Sequence, residues 1–172
     1  MEMRFVKDDR RNRTIVQMDN ARIVWPNFEG RADTYNRPGD RNFAVVIPDL
    51  EMAGALNDMG YNVKIRPPRE EGEEPFITLA VKVRFNDYGP KIYLQTGDKR
   101  IILTEETVGC IDKIDISSCD LDIRPYEWSR PDGSSGTSAY LQGALIVQEL
   151  DRFASYNTED RTDENDIPFA DE

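Results

Sequence analysis

A mostly β chain with a single helix, rolled into a small closed or half-closed barrel, is the fold class that this sequence predicts. Two observations carry the prediction. Apolar and polar residues alternate with period 2 through nine stretches rich in β-branched and aromatic side chains, and Gly, Pro, Asn and Asp separate those stretches. Only one stretch, "DLEMAGALNDMG", carries a helical period instead. Many short strands with one helix suit a barrel better than a helix bundle or a parallel α/β sheet.

Strands are expected at 13–18, 21–25, 42–47, 62–66, 76–85, 91–96, 100–103, 112–128 and 138–150. The helix is expected over 49–60. Asp49 can cap it, Leu50, Ala53, Leu56 and Met59 recur along one face, and Gly60 ends it. A short turn is expected at "TEETVG", where Thr104 can cap but Thr107 stands in the place of a capping-box acid. Three connections are long: 29–40, 67–74 and 129–138. Loops of that length in a compact domain are usually functional or mobile. A five-stranded barrel with one helix between its middle strands is the oligonucleotide-binding pattern. An immunoglobulin-like sandwich fits the strand count but gives the helix no natural place.

The 172 residues suffice for one domain with a core, read as 1–152, followed by an acidic tail at 153–172. With 32% charged and 38% hydrophobic residues, the composition is that of a soluble globular protein. No apolar run is long enough to cross a membrane, and no apolar stretch follows the basic residues of "MEMRFVKDDRRNRT" as in a secretory signal. A cytoplasmic location is therefore expected, with Cys110 and Cys119 as reduced, packed thiols. The net charge of -11 is unevenly spread. From Asp151 onward eight acids face two arginines, which leaves -6 there and -5 for the rest. A polyanionic partner remains compatible with that balance if the cations share a face.

They are expected to share one. In 76–85, Ile77, Leu79, Val81, Val83 and Phe85 alternate with Thr78, Ala80, Lys82 and Arg84, so the second set faces outward. In 91–96, Lys91, Tyr93 and Gln95 face outward. A hairpin through "NDYGP" would set Lys82, Arg84, Lys91 and Tyr93 side by side. Lys64 and Arg66 take the outer face of 62–66, and Arg124, Tyr126 and Trp128 share one face of 112–128. Arg31, Tyr35 and Arg37 sit in the first long loop. Trp25 and Phe28 are further candidates for stacking, although Trp25 alternates with Ile23 and is expected in the core. Cations interleaved with rings suit single-stranded nucleic acid, which offers phosphates to the cations and unpaired bases to the rings. For each residue singly, a solvated sheet face or a ring covering an edge of the core is the better explanation, and only the set as a whole favours binding.

The sequence gives catalysis little to work with. It has no histidine, which removes the commonest general base and most zinc sites. Asp112, Asp115, Asp120 and Asp122 are a conceivable magnesium cluster for a nuclease, but acids alternating with Ile and Leu usually mark the wet side of a strand. No cofactor is expected.

The last residues include "DENDIPF", with Asp163, Glu164, Asp166, Ile167, Pro168 and Phe169. This stretch resembles the acidic tip of bacterial single-stranded DNA-binding proteins, where Ile-Pro-Phe follows a cluster of Asp. The resemblance implies that these six residues dock onto replication and repair proteins, with Phe in an apolar pocket and the acids against basic groups. Here Ala170, Asp171 and Glu172 follow Phe169, whereas Phe is terminal in the bacterial members. The body, through "ARIVWPNF", "NFAVVIP" and "PYEW…GTSAYLQGALIV", looks like the phage-encoded single-stranded DNA-binding proteins. That resemblance covers roughly residues 20–150 as a loose pattern of strands and turns. It implies a non-enzymatic, largely sequence-independent binder of single-stranded DNA in replication or recombination, with homo-oligomers left open. A β-sandwich virion adaptor and, less favoured, a metal-dependent nuclease are the rival readings.

Overall fold

The computed structural model describes residues 1–150, and within them the chain forms ten strands, one α-helix and one 3-10 turn. In chain order these are β1 (Glu2–Asp8), β2 (Arg13–Asp19), β3 (Arg22–Asn27), β4 (Arg41–Val46), α1 (Leu50–Asp58), β5 (Val63–Arg66), β6 (Phe76–Val83), β7 (Lys91–Thr96) and β8 (Lys99–Leu103). The 3-10 turn (Val108–Lys113), β9 (Ile116–Ser129) and β10 (Ser135–Gln148) complete them.

The main sheet runs β1-β2-β9-β10-β6-β4-β3. β2 pairs with β9 while β3 pairs with β4, and only Asn20 and Ala21 separate β2 from β3. They are two halves of one bent strand, so the sheet curls and nearly returns on itself. The Ala21 N–H donates to the Cys119 carbonyl at 2.7 Å, which ties the bend to β9. Alternation decides which side chains fill the interior. Val16, Met18, Val45, Ile77, Val81, Ile92, Ile123, Leu141 and Ile146 all point inward with almost no exposure. Each fully buried aliphatic side chain of this size contributes about 1.5–3 kcal/mol, enough to fix the register of a strand.

The helix caps as expected: the Asp49 carboxylate accepts from the Met52 N–H at 2.8 Å. Its buried face is narrower than the sequence implies. Ala53 and Leu56 are buried with Met52 packed beside them, whereas Leu50 and Met59 are exposed at the two ends. Gly60 then turns with φ +93, and an added Cβ would come within 2.7 Å of Thr137 Oγ1, so the helix end rests directly on β10.

Several boundaries differ from expectation. β1 was not expected, β9 starts at Ile116 because 112–113 belong to the 3-10 turn, and β10 starts three residues early. The 129–138 connection shrinks to a five-residue turn. There Asp132 accepts from the Ser134 N–H and hydroxyl, which holds its carboxyl below the usual range. Cys119 is buried, and burial pushes its thiol up to about 12; Cys110 is half-buried against the core.

The expected β6–β7 hairpin does not form. Both strands pair in parallel with β10, β6 through Ala139 and Tyr140 and β7 through Gly143 to Val147. They lie one after the other along the same edge of β10, and β7 turns back through β8.

Candidate nucleic-acid interface

Register places the outward side chains. Lys82 on β6 stands opposite Asn42 of β4 on one side and Tyr140 of β10 on the other, and Tyr140 stands opposite Arg124 of β9. Asn42, Lys82, Tyr140 and Arg124 therefore form one row across four strands, on the face turned away from the core. The Arg124 guanidinium lies 4.8 Å from the Tyr140 ring centre and the Lys82 ammonium 5.8 Å from it. Tyr126 meets the same ring edge-on at 5.7 Å and is itself more than half exposed. Tyr140 thus holds two cations and one exposed ring in fixed positions. Trp128, one step further along β9, is half-buried: its ring covers Gly136, where an added Cβ would approach within 2.8 Å, and Arg130 lies 5.0 Å from its centre.

Beside this row lies an open cavity of about 850 Å³. Arg84, Lys91, Tyr93 and Arg124 line it, so these four expected residues do meet, although by a different route from a hairpin. Three more cations come from the tip of the β1–β2 hairpin: Arg10, Arg11 and Arg13. Tyr88, 81% exposed, comes from the loop after β6, and the Arg11 guanidinium lies 5.3 Å from its ring centre across the opening. Six cations face three acids, Asp8, Asp120 and Asp122. Arg13 is engaged, by Gln142 at 2.7 Å and Asp8 at 3.5 Å. Among the described residues Arg10, Arg11, Arg84, Lys91 and Arg124 make no salt bridge. Burial and the neighbouring Arg13 lower the pKa of Arg124, with Arg11 and Arg84 adding to the effect.

The 29–40 loop is built rather than slack. The Asn27 side-chain oxygen accepts from the Gly30 and Arg31 N–H groups, and the Asn36 amide donates to the carbonyls of Arg31, Arg37 and Asp40. Asn42, in the row with Lys82, donates to the Asn36 side-chain oxygen at 2.7 Å. The base of the loop is thereby tied to the cationic face. Tyr35 is 98% exposed, Arg37 is exposed, and Arg31 pairs loosely with Glu29 at 3.9 Å.

Lys64 and Arg66 are exposed on β5, opposite Thr78 and Phe76 of β6. Thr78 faces outward as expected but is covered by its neighbours and buried. The two aromatic alternates reverse their expected roles. Phe28 is buried in a stack on Phe43 at 5.1 Å and is closed to any base. Trp25, expected in the core, is 62% exposed. A bulge between Val24 and Asn27 adds one residue to β3, and an added residue switches the face that side chains take.

Of the four aspartates only Asp120 and Asp122 come together, at the cavity. Asp112 accepts from the Phe28 and Glu29 N–H groups at 2.9 and 3.0 Å, and Asp120 accepts from the Asn20 N–H at 2.9 Å. Among the described residues no three acids or cysteines are placed to hold a metal ion. The six residues of the acidic tip lie outside the described residues.

Sequence reasoning missed Arg10, Arg11, Arg13, Tyr88 and Tyr140. The run "DDRRNR" did carry a signal, since Asn12 tolerates the left-handed φ of 48 that a tight hairpin tip requires. Tyr140 carried none, because its importance lies in which strands flank it.

A curled, mostly β sheet with a single helix is the oligonucleotide-binding-like class of fold. The chain belongs to the family described as "Putative phage ssDNA-binding domain", whose sequence profile matches residues 6–172. Its fold is similar to the C-terminally truncated single-stranded DNA-binding protein of bacteriophage Enc34, at TM-score 0.50 and 11% identity over 88% of this chain and 97% of that one. The untruncated Enc34 protein aligns at TM-score 0.49 and 12% identity over 91% and 99%. The gp2.5 single-stranded DNA-binding protein of bacteriophage T7 aligns at 0.34 and 12% over 81% and 94%. No curated protein sequence matches the chain.

Proposed function

We propose that this protein binds single-stranded DNA without marked sequence preference and keeps it unpaired during phage replication or recombination in the host cytoplasm. The observation that carries the reading is the Lys82–Tyr140–Arg124 row beside the arginine-lined cavity. Phosphates lie against Lys82, Arg84, Lys91 and Arg124, with Arg10 and Arg11 closing from the hairpin tip. A base stacks on the exposed ring of Tyr126, and Tyr93 and Tyr88 offer further rings nearby. Lys64, Arg66 and the loop residues Arg31, Tyr35 and Arg37 extend the contact to either side, and Trp128 contributes its exposed edge. Stacking of this kind is worth about 1–3 kcal/mol per base and is indifferent to base identity. Duplex DNA would leave the rings unused.

The acidic tail acts, in this reading, as a tether with two roles. Its charge competes with DNA for the cationic face, and Ile167, Pro168 and Phe169 with Asp163, Glu164 and Asp166 recruit replication or recombination proteins once DNA has displaced it. The protein needs no cofactor and is not an enzyme.

Binding of fluorescent oligo-dT and of a duplex, by the full chain and by a chain lacking residues 157–172, across a salt series, tests both parts. Preference for oligo-dT, with log affinity falling linearly in log salt, is expected. Removing the tail is expected to strengthen binding, most at low ionic strength. Equal affinity for duplex and single strand would refute the stacking role, and tail removal without effect at low salt would refute the competition.

A further inference from the structure

Trp25 carries an uncommon backbone conformation. It has φ +53, a left-handed value that bulky side chains seldom adopt, and it stands immediately before Pro26, where the backbone is further restricted. The bulge it creates is of the kind in which glycine normally takes that first position. A tryptophan held there, 62% exposed, spends backbone strain to present an indole to solvent.

What surrounds it is a second cluster of the same chemistry as the first. The Phe76 ring meets Trp25 edge-on at 5.8 Å, and the Arg66 guanidinium lies 4.9 Å from the centre of Phe76. Phe76 and Lys82 have the same parity on β6, so both point away from the core, as the pairing of Phe76 with the exposed Arg66 also requires. The two clusters therefore lie on one face of one strand, six residues apart. That separation corresponds to roughly 20 Å along β6.

We infer that Trp25, supported by Phe76 and Arg66, is a second base-stacking platform for the same single strand, at the far end of β6 from the arginine-lined cavity. Phe76 fixes the plane of the indole, and Arg66, held on Phe76, takes the adjacent phosphate. The DNA then runs along β6 from the cavity toward Trp25, with Lys82 and Lys64 between. The inference rests on single-strand binding by the Tyr140 face and adds the direction and extent of the path.

The strain supplies a test that a merely structural tryptophan would fail. Glycine adopts φ +53 freely, so Trp25→Gly is expected to melt at the same temperature as the parent or higher. It is expected to bind a long oligo-dT about tenfold more weakly, while binding of a tetranucleotide at the cavity end changes less than twofold. Trp25→Phe keeps a ring and is expected to retain most of the affinity. In a Trp128→Phe background, oligo-dT long enough to reach Trp25 is expected to quench its fluorescence, and the tetranucleotide is not. Unchanged long-oligonucleotide affinity in Trp25→Gly, or a large drop in its melting temperature, would overturn the inference while leaving binding by the parent intact. Failure of the parent itself to bind oligo-dT would instead overturn the reading on which it rests.

Discussion

Strand β9 presents two kinds of charge on one face. Toward its start stand Asp120 and Asp122, and toward its end Arg124, Tyr126 and Trp128. The acids differ between themselves: Asp120 accepts from the Asn20 backbone, whereas Asp122 is drawn by Arg4 but repelled by Asp19 and Asp120. Arg124 rests on the Tyr140 ring, has other arginines for neighbours, and forms no salt bridge among the described residues. The same alternation produced both halves. What separates them is the partner each finds within the described fold: a backbone donor for Asp120 and the field of Arg4 for Asp122, against an aromatic ring and no carboxylate for Arg124.

The largest expected effect comes from reversing the unpaired charge. Arg124→Glu should weaken oligo-dT binding about 100-fold at low salt, and Arg124→Gln should lower the salt slope by about 1. Fluorescence anisotropy measures both. Thermal stability should hardly move, since loss of the contact with the Tyr140 ring is offset by relief of the repulsion from Arg11, Arg13 and Arg84. A large loss of stability with intact affinity would erase the distinction between the two halves of β9. Next is Tyr126→Ala, expected to cost about 1–3 kcal/mol of binding at every ionic strength, because stacking is not screened by salt.

The acid half should respond in the opposite sense. Asp120→Ala removes the acceptor of the Asn20 N–H and should cost about 1 kcal/mol of stability. That corresponds to about 2–4 °C in Tm for a chain of this size. Affinity for oligo-dT should not fall. The smallest effect is a pH dependence at Asp122, whose carboxyl is pushed above the usual range by burial, with Arg4 opposing. A carboxyl raised in the folded state binds its proton more tightly there than in the unfolded chain. Stability is then greatest below the ordinary carboxylate range and falls as pH rises through the raised value. Asp122→Asn should therefore melt slightly above the parent at pH 7 and together with it at pH 3.

Much of the fold could be read in advance because the barrel follows local pattern. Ile77, Leu79, Val81 and Val83 alternate as inward residues must, and Asp49 caps α1 as its position implied. Where the pattern misled, something non-local intervened. β1 alternates weakly because both of its faces are wet; Phe5 and Val6, on opposite sides, are each about 40% exposed. The turn "NDYGP" had every mark of a hairpin, yet β6 and β7 both take β10 as partner. The one-residue bulge in β3 carried Trp25 from the expected interior to the surface. Of the expected site, Lys82, Arg84, Lys91, Tyr93, Arg124 and Tyr126 converge around Tyr140 and the cavity, a residue and a space that no local rule could locate.

The sequence by itself determined which side of each regular strand is oily and which carries cations and rings, because side-chain direction along an unbulged strand follows position parity; in β3 the bulge broke that rule. Tertiary structure decided which of those outward sides become neighbours, since that depends on pairings between segments up to 130 residues apart, such as Arg13 with Gln142. Contacts of that span are set by how the whole core closes. For that reason the charge balance of the cavity emerges only once the barrel is assembled.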